Sequence, residues 1–307
     1  MSLVVVGSMA FDAIETPFGK SDRIIGGAAT YIAWSASNFA TPIKQLSVVG
    51  GDFPKEELQM LEARGVITEG VEIKENEKSF FWSGRYHLDM NTRDTLDTQL
   101  NVLANFNPVV PESYQDCEFL MLGNLVPAVQ NAVIDQMKKK PKLVVLDTMN
   151  FWMETAMADL EKVLSKVDVL MVNDSEARQL SAQYSLVKAA KVIMNMGPKY
   201  LIIKKGEHGA LLFHEDQVFF APALPLEEVF DPTGAGDTFA GGFIGHIAKT
   251  KDISFENMKS AIIVGSAMAS FCVEKFGTTR LKEISKADID ARIQQFVQLV
   301  NFDIELV

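Results

Sequence analysis

Short, almost continuously apolar runs alternate with stretches of helical spacing along most of the chain. The runs lie at 3–6, 119–122, 143–147, 168–172 and 200–203, and helix-capable stretches separate the later ones at 127–139, 153–165 and 184–195. A strand that is apolar at every position must be covered on both faces, so the pattern predicts an α/β chain with a central, mostly parallel sheet and helices on each side. Two further helical stretches, 255–271 and 286–300, pack outside. Ligands of open parallel sheets gather beyond the strand C-termini, and Asp147, Asn173 and Lys204 each follow such a run.

Residues 70–106 break this rhythm. Phe80-Phe81-Trp82-Ser83-Gly84-Arg85-Tyr86 is aromatic and strand-prone, a polar stretch follows at 89–99, and Leu100-Asn101-Val102-Leu103 reads as the returning strand. The expectation is a small antiparallel excursion from the main sheet. Arg85 and Arg93 are either exposed charges of that excursion or contacts to a substrate or phosphate. No repeat, low-complexity tract or linker divides the chain, so residues 1–307 are read as a single domain.

Residues 231–242 read Asp-Pro-Thr-Gly-Ala-Gly-Asp-Thr-Phe-Ala-Gly-Gly, ahead of a helical stretch through Phe243, Ile244, Ile247 and Ala248. Gly234 and Gly236 can adopt backbone angles closed to other residues, so the amides of Gly234, Ala235 and Gly236 can face one concavity at a helix N-terminus and hold an anion. Asp237 stands among those donors. It can take a proton from an attacking hydroxyl while the amides stabilise charge on a transferred phosphoryl group. Two other phosphate motifs fail: a dinucleotide fingerprint needs glycine where Phe239 stands, and no Lys follows the last glycine as in a P-loop. Gly19-Lys20-Ser21 mimics a P-loop tail, but Ile14 occupies the place of its first glycine, leaving a surface turn.

Composition narrows the class. With 307 residues, 48% of them hydrophobic, the chain can bury a large core, and its two cysteines, Cys117 and Cys272, lack disulfide-framework or zinc spacing. A net charge of −11 argues against nucleic acid, whose binding needs clustered cations, and Lys138-Lys139-Lys140 before Pro141 reads as a solvated helix end. The absence of a signal-like N-terminus or a bilayer-length apolar stretch gives a cytoplasmic expectation, with no membrane partner.

The run at 231–242 resembles the C-terminal signature of the ribokinase-like, or PfkB, carbohydrate kinase superfamily, and the likeness extends over nearly the whole chain. Leu3–Val6 with Gly7-Ser8 and Asp12 resembles the family's first strand and its substrate aspartate; Gly26-Gly27 resembles the N-terminal signature; Val48-Val49-Gly50-Gly51-Asp52 resembles the strand and turn that follow. Asn173-Asp174-Ser175-Glu176 matches the family's Asn-x-x-Glu motif, and Lys204-Lys205-Gly206-Glu207-His208-Gly209 resembles its nucleotide loop.

The resemblance implies a ribokinase-like α/β fold with a β-strand lid from about 13–25 and 70–106, over which a homodimer can form. It implies transfer from ATP to a hydroxymethyl group, with Asp237 as base and Asp12, Gly26, Gly27, Tyr31, Trp82 and Asn124 toward the substrate. ATP would meet Asn173, Glu176, Lys204, Gly206, Gly209, Gly277 and Thr279, with Glu176 acting on Mg²⁺ through water and Asp231 and Thr233 near a K⁺. Tyr31 departs from the sugar-binding Asn of ribokinase-type members. With Phe81, Trp82 and Tyr86 it suggests a flat surface for a nucleobase, so the acceptor is a sugar or a nucleoside. The alternatives are a catalytically silent, ligand-binding relative and a dinucleotide-dependent enzyme.

Overall fold

The computed structural model describes residues 2–301. Its strands are β1 (Leu3–Val6), β2 (Ala10–Thr16), β3 (Gly19–Gly26), β4 (Ile43–Gly50), β5 (Val66–Lys74), β6 (Phe80–Tyr86), β7 (Arg93–Gln99), β8 (Phe119–Leu122), β9 (Leu143–Asp147), β10 (Val169–Asn173), β11 (Tyr200–Lys204), β12 (Ala210–His214) and β13 (Gln217–Ala221). The helices are α1 (Ala28–Ala36), α2 (Lys55–Ala63), α3 (Pro127–Asp135), α4 (Asn150–Thr155), α5 (Met157–Leu164), α6 (Asp174–Ser181), α7 (Leu186–Met194), α8 (Ala235–Thr250), α9 (Phe255–Cys272), α10 (Thr279–Glu283) and α11 (Lys286–Val300).

Nine strands form the main sheet in the order β13-β12-β11-β10-β9-β8-β1-β4-β5. From β11 to β5 every pairing is parallel, and β12 and β13 return antiparallel at one edge. The continuous apolar runs follow from burial on both faces. Leu3 and Val5 join Ile32 of α1, Phe243 of α8 and Met268 of α9, whereas Val4 and Val6 join Val133, Leu164, Leu180 and Ile193 on the opposite face. Alternation along one strand thus fills two cores.

Helix α8 is buried from Thr238 through Gly245, between α1 and α9. Gly241 makes this possible, since a β-carbon there would lie 2.5 Å from the Ile32 carbonyl oxygen. Ser35 Oγ donates to the Thr238 carbonyl at 2.7 Å and pins the first turn of α8 to α1.

The lid is a separate four-stranded sheet in the order β3-β2-β6-β7. Its boundaries and pairing correct the sequence reading in four ways. Residues 66–74 complete the edge of the main sheet as β5, so the excursion starts later than expected. The polar stretch contains the return strand itself: β7 is exposed at all its positions, so no apolar alternation marks it. Residues 101–105, whose start was read as that strand, instead form a 3₁₀ turn with buried Val102. β2 and β6 pair in parallel, so the lid is not wholly antiparallel.

Helix ends differ from expectation too. The stretch at 153–165 is two helices, because Ala156 at φ −144° turns the chain. α4 then directs Trp152 toward Asn124, while α5 sends Leu160, Val163 and Leu164 into the core. The stretch at 127–139 ends as a helix at Asp135, and Lys138 lies beyond it, paired with Glu112.

Candidate active site

The cleft lies where α8 begins. Gly234 caps the helix in the left-handed region at φ 74°, and its carbonyl accepts the Thr238 N–H at 2.8 Å. Of the expected cradle, the Ala235 amide is instead taken by the Pro232 carbonyl at 3.2 Å, because the turn before α8 closes on itself; the first-turn amide of Gly236 has no helical acceptor and stands at the positive end of the helix dipole. Asp231 fixes the preceding loop: fully buried, it accepts from Thr233 N at 2.9 Å and from Gly277 N at 3.0 Å. Gly277 therefore braces the cradle, and Thr279 opens α10 just beyond.

Asp237 projects from the first turn of α8, half-buried. Burial, then the neighbouring Asp147 carboxylate, pushes its pKa up to about 7 against the opposing charges of Lys204 and Arg93. Across the cleft Asp12 lies in mid-strand on β2, not in the turn after β1, and is 5% exposed. Burial and the charges of Asp231 and Asp237 raise it to about 8. Gly26 leaves room for this carboxylate, since a β-carbon there would sit 1.9 Å from Asp12 Oδ2. Gly27, at φ 93°, packs against the Ser8 carbonyl and opens α1.

Strand register puts Asp12, Trp82, Tyr86 and Arg93 on one face of the lid, since Asp12 pairs with Trp82 and Tyr86 pairs with Arg93. Trp82 lies over Gly84, its indole N–H donating to Thr95 Oγ1 at 3.4 Å. Thr233 Oγ1 donates to the Tyr86 hydroxyl at 3.2 Å and links the lid to the cradle loop. The β6–β7 turn carries Asn91 against Gly206, bringing the lid tip to the far loop.

Three expected residues sit differently. Tyr31 is 1% exposed and its ring lies under Gly234, where a β-carbon would be 2.4 Å away. Its faces cannot stack on a base; Phe81 also lies on the opposite face of the lid from Trp82, by strand alternation. Asn124 is already engaged, accepting from Trp152 Nε1 at 2.8 Å and donating to Met149 Sδ at 3.1 Å.

On the sheet side, Asn173 and Glu176 form a capping box on α6: Asn173 Oδ1 accepts Glu176 N at 2.8 Å, and Glu176 Oε2 accepts Asn173 N at 2.7 Å. Burial raises the Glu176 pKa, with Lys204 opposing. Gly206 and Gly209, at φ 55° and 80°, shape the loop after β11. Lys204 ends β11 with its ammonium 3.0 and 3.1 Å from the two carboxylate oxygens of Asp147. Asp147 was visible only as a strand-end residue; its partner is 57 residues away, and no local pattern announces that pairing.

A family model confirms the scale of the likeness: that of the pfkB family carbohydrate kinases matches residues 2–284. The chain belongs to that family. Membership makes it a phosphotransferase acting on an alcohol group. A cytidine kinase of Thermococcus kodakarensis is 28% identical over 283 residues, covering 90% of this chain and 98% of that one. Among solved structures, a Burkholderia thailandensis nucleoside kinase in complex with inosine aligns with a TM-score of 0.76 at 22% identity, over 96% of this chain and 99% of its own. An E. coli chain described as a candidate ribokinase II, in complex with ATP and Mg²⁺, gives 0.76 at 19% identity over 97% and 99%. These neighbours establish a ribokinase-like fold for the pfkB kinase described here. Among its described residues no helix is long and apolar enough to cross a membrane.

The raised carboxylates predict how stability varies with pH. Asp12 shifts from 3.8 when unperturbed to about 8 in the fold, so below the lower value both states hold the proton. As pH climbs between the two, the unfolded chain ionises first and folding becomes less favourable. Asp12→Asn should therefore gain melting temperature over the wild type progressively from about pH 4 to about pH 9. Parallel melting curves across that range would contradict the assignment.

Proposed function

We propose that this pfkB kinase phosphorylates the hydroxymethyl group of a ribonucleoside with Mg-ATP. The observation that carries the reading is the face of the lid on which strand register sets Trp82 beside Asp12, the indole packed over Gly84 and the Arg93 guanidinium 5.7 Å from its ring centroid. An indole is a platform for a base, and a carboxylate beside it accepts hydrogen bonds from ribose hydroxyls. The similarity to a cytidine kinase over 90% of the chain supports the same class and makes cytidine the first acceptor to test. An intact Asp237 and cradle count against a silent relative.

Asp237 accepts the proton of the attacking hydroxyl. As the new O–P bond forms at the γ-phosphorus, the bond from that phosphorus to the ADP oxygen breaks in line. The amides at the start of α8 meet the charge gathering on the phosphoryl oxygens. A pKa of about 7 leaves Asp237 both partly ionised near neutrality and basic enough to take the proton. Substrate hydroxyls donating to Asp12 favour its charged form and lower its proton affinity on binding. Glu176 would help hold Mg²⁺ through water, and the ion would supply positive charge against the transferring group. The lid strands exclude water from the reaction.

Asp237→Asn preserves shape and removes the acceptor, so kcat should fall roughly 10²- to 10⁴-fold with ATP still bound. Near-normal turnover would take the role of base from Asp237. Trp82→Ala should raise the KM for cytidine by roughly 10-fold or more, and that for ATP by far less. If ATP consumption across ribose, fructose, adenosine, inosine and cytidine occurs only with free sugars, and Trp82→Ala leaves it unchanged, the nucleoside reading fails. A K⁺ beside the Asp231–Gly277 loop would stiffen the cradle. Equal rates in potassium and in tetramethylammonium at one ionic strength would exclude that ion.

A further inference from the structure

The sheet side of the cleft holds a buried ion pair whose position fits a second task. Asp147 is 5% exposed, and its Oδ1 also accepts the Thr148 N–H at 3.1 Å, so its carboxylate is fixed at the end of β9. Both its oxygens take the Lys204 ammonium, at 3.0 and 3.1 Å. That ammonium lies against the first turn of α8: a β-carbon on Gly236 would be 3.0 Å from Lys204 Nζ, a contact tight enough that the lysine would have to shift slightly. Glu176 and Asp237 also act on Lys204; burial opposes its charge, yet the three carboxylates together hold its pKa above the usual lysine value.

We propose that Lys204 is a fixed cation of the transfer site, contacting the terminal phosphoryl group of ATP from below the α8 cradle, and that Asp147 is the residue that positions it. This deepens the kinase reading and rests on it. A lysine free to swing would have to be ordered during each turnover, whereas one clamped by two oxygens and backed by the sheet is already aimed. The pair also faces the base. Asp237 meets Asp147 from β9, Lys204 from β11, Arg93 from β7 and Asp12 from β2, so removing either member of the pair changes the charge around it in an opposite sense.

The test compares wild type, Lys204→Met, Lys204→Arg and Asp147→Asn in the full chain, with melting curves to verify folding. First, affinities for ADP and for the non-hydrolysable analogue AMP-PNP are measured without acceptor, a readout that does not depend on which alcohol is phosphorylated. Lys204→Met should lower the preference for AMP-PNP over ADP about tenfold or more, and Lys204→Arg should restore part of it. Second, kcat is followed against pH with whichever acceptor the wild type uses. Lys204→Met should lower kcat about 10²- to 10³-fold and move the acidic limb to higher pH. Asp147→Asn should move that limb to lower pH. Unchanged AMP-PNP preference in Lys204→Met, or limbs that shift together or not at all, would overturn the proposal while leaving the kinase reading intact. If Lys204→Met does not fold, the direction of the Asp147→Asn limb decides. Loss of wild-type activity on every alcohol would instead strike the functional reading, with the nucleotide affinities still testing Lys204.

Discussion

One electrostatic constraint governs the centre of this molecule: the buried carboxylates Asp12, Asp147, Glu176 and Asp231 converge with half-buried Asp237. Such a cluster stands only if positive charge is built into its walls. The walls supply it in three forms. The N-terminus of α8 offers amides and a dipole, the amides of Thr233 and Gly277 satisfy Asp231, and the side chains of Lys204 and Arg93 oppose the carboxylates from the sheet and the lid. What remains unneutralised appears as the raised proton affinities of Asp12 and Asp237. A site tuned this way holds the Asp237 carboxylate near neutrality, the range in which the proton acceptor proposed for it is most useful.

The scaffold serves that arrangement. α8 can present its first turn to the cleft only because it is sunk between α1 and α9, with Gly241 permitting contact with the backbone of α1. Parallel strands end on the same side, so Asp147, Asn173 and Lys204 come from three neighbouring strand ends, with Lys204 paired to Asn173 and Asp147 paired to Met171, two residues earlier on β10. The lid closes the opposite side, tied to the cradle through Tyr86 and Thr233 and to the far loop through Asn91. The residues proposed for substrate recognition and for phosphoryl transfer thus come from the lid and from the start of α8 with the sheet ends.

Much of this was legible in the sequence because it is local. Apolar runs buried on both faces mark the strands of the main sheet without ambiguity of face, and the motif from Asp231 to Gly242 encodes a turn and the helix after it. What failed to be legible depends on distant partners. β7 has neither face buried, so its polar sequence reads as a loop. Tyr31 was expected to face a nucleobase, but its ring lies buried beneath Gly234, a placement that follows from how α1 crosses α8. The clamp between Asp147 and Lys204 joins the ends of strands that are not even adjacent, since β10 lies between them.

The most direct test follows the phosphoryl group itself. Mixing the enzyme with γ-³²P-labelled ATP, Mg²⁺ and cytidine in a single turnover should move the label to a nucleoside 5′-phosphate, with no transfer when Asp237 is replaced by Asn over the same interval. Label appearing only as inorganic phosphate, or transferred equally well without the carboxylate, would contradict an account in which the cradle of α8 and Asp237 act together on a nucleoside hydroxyl.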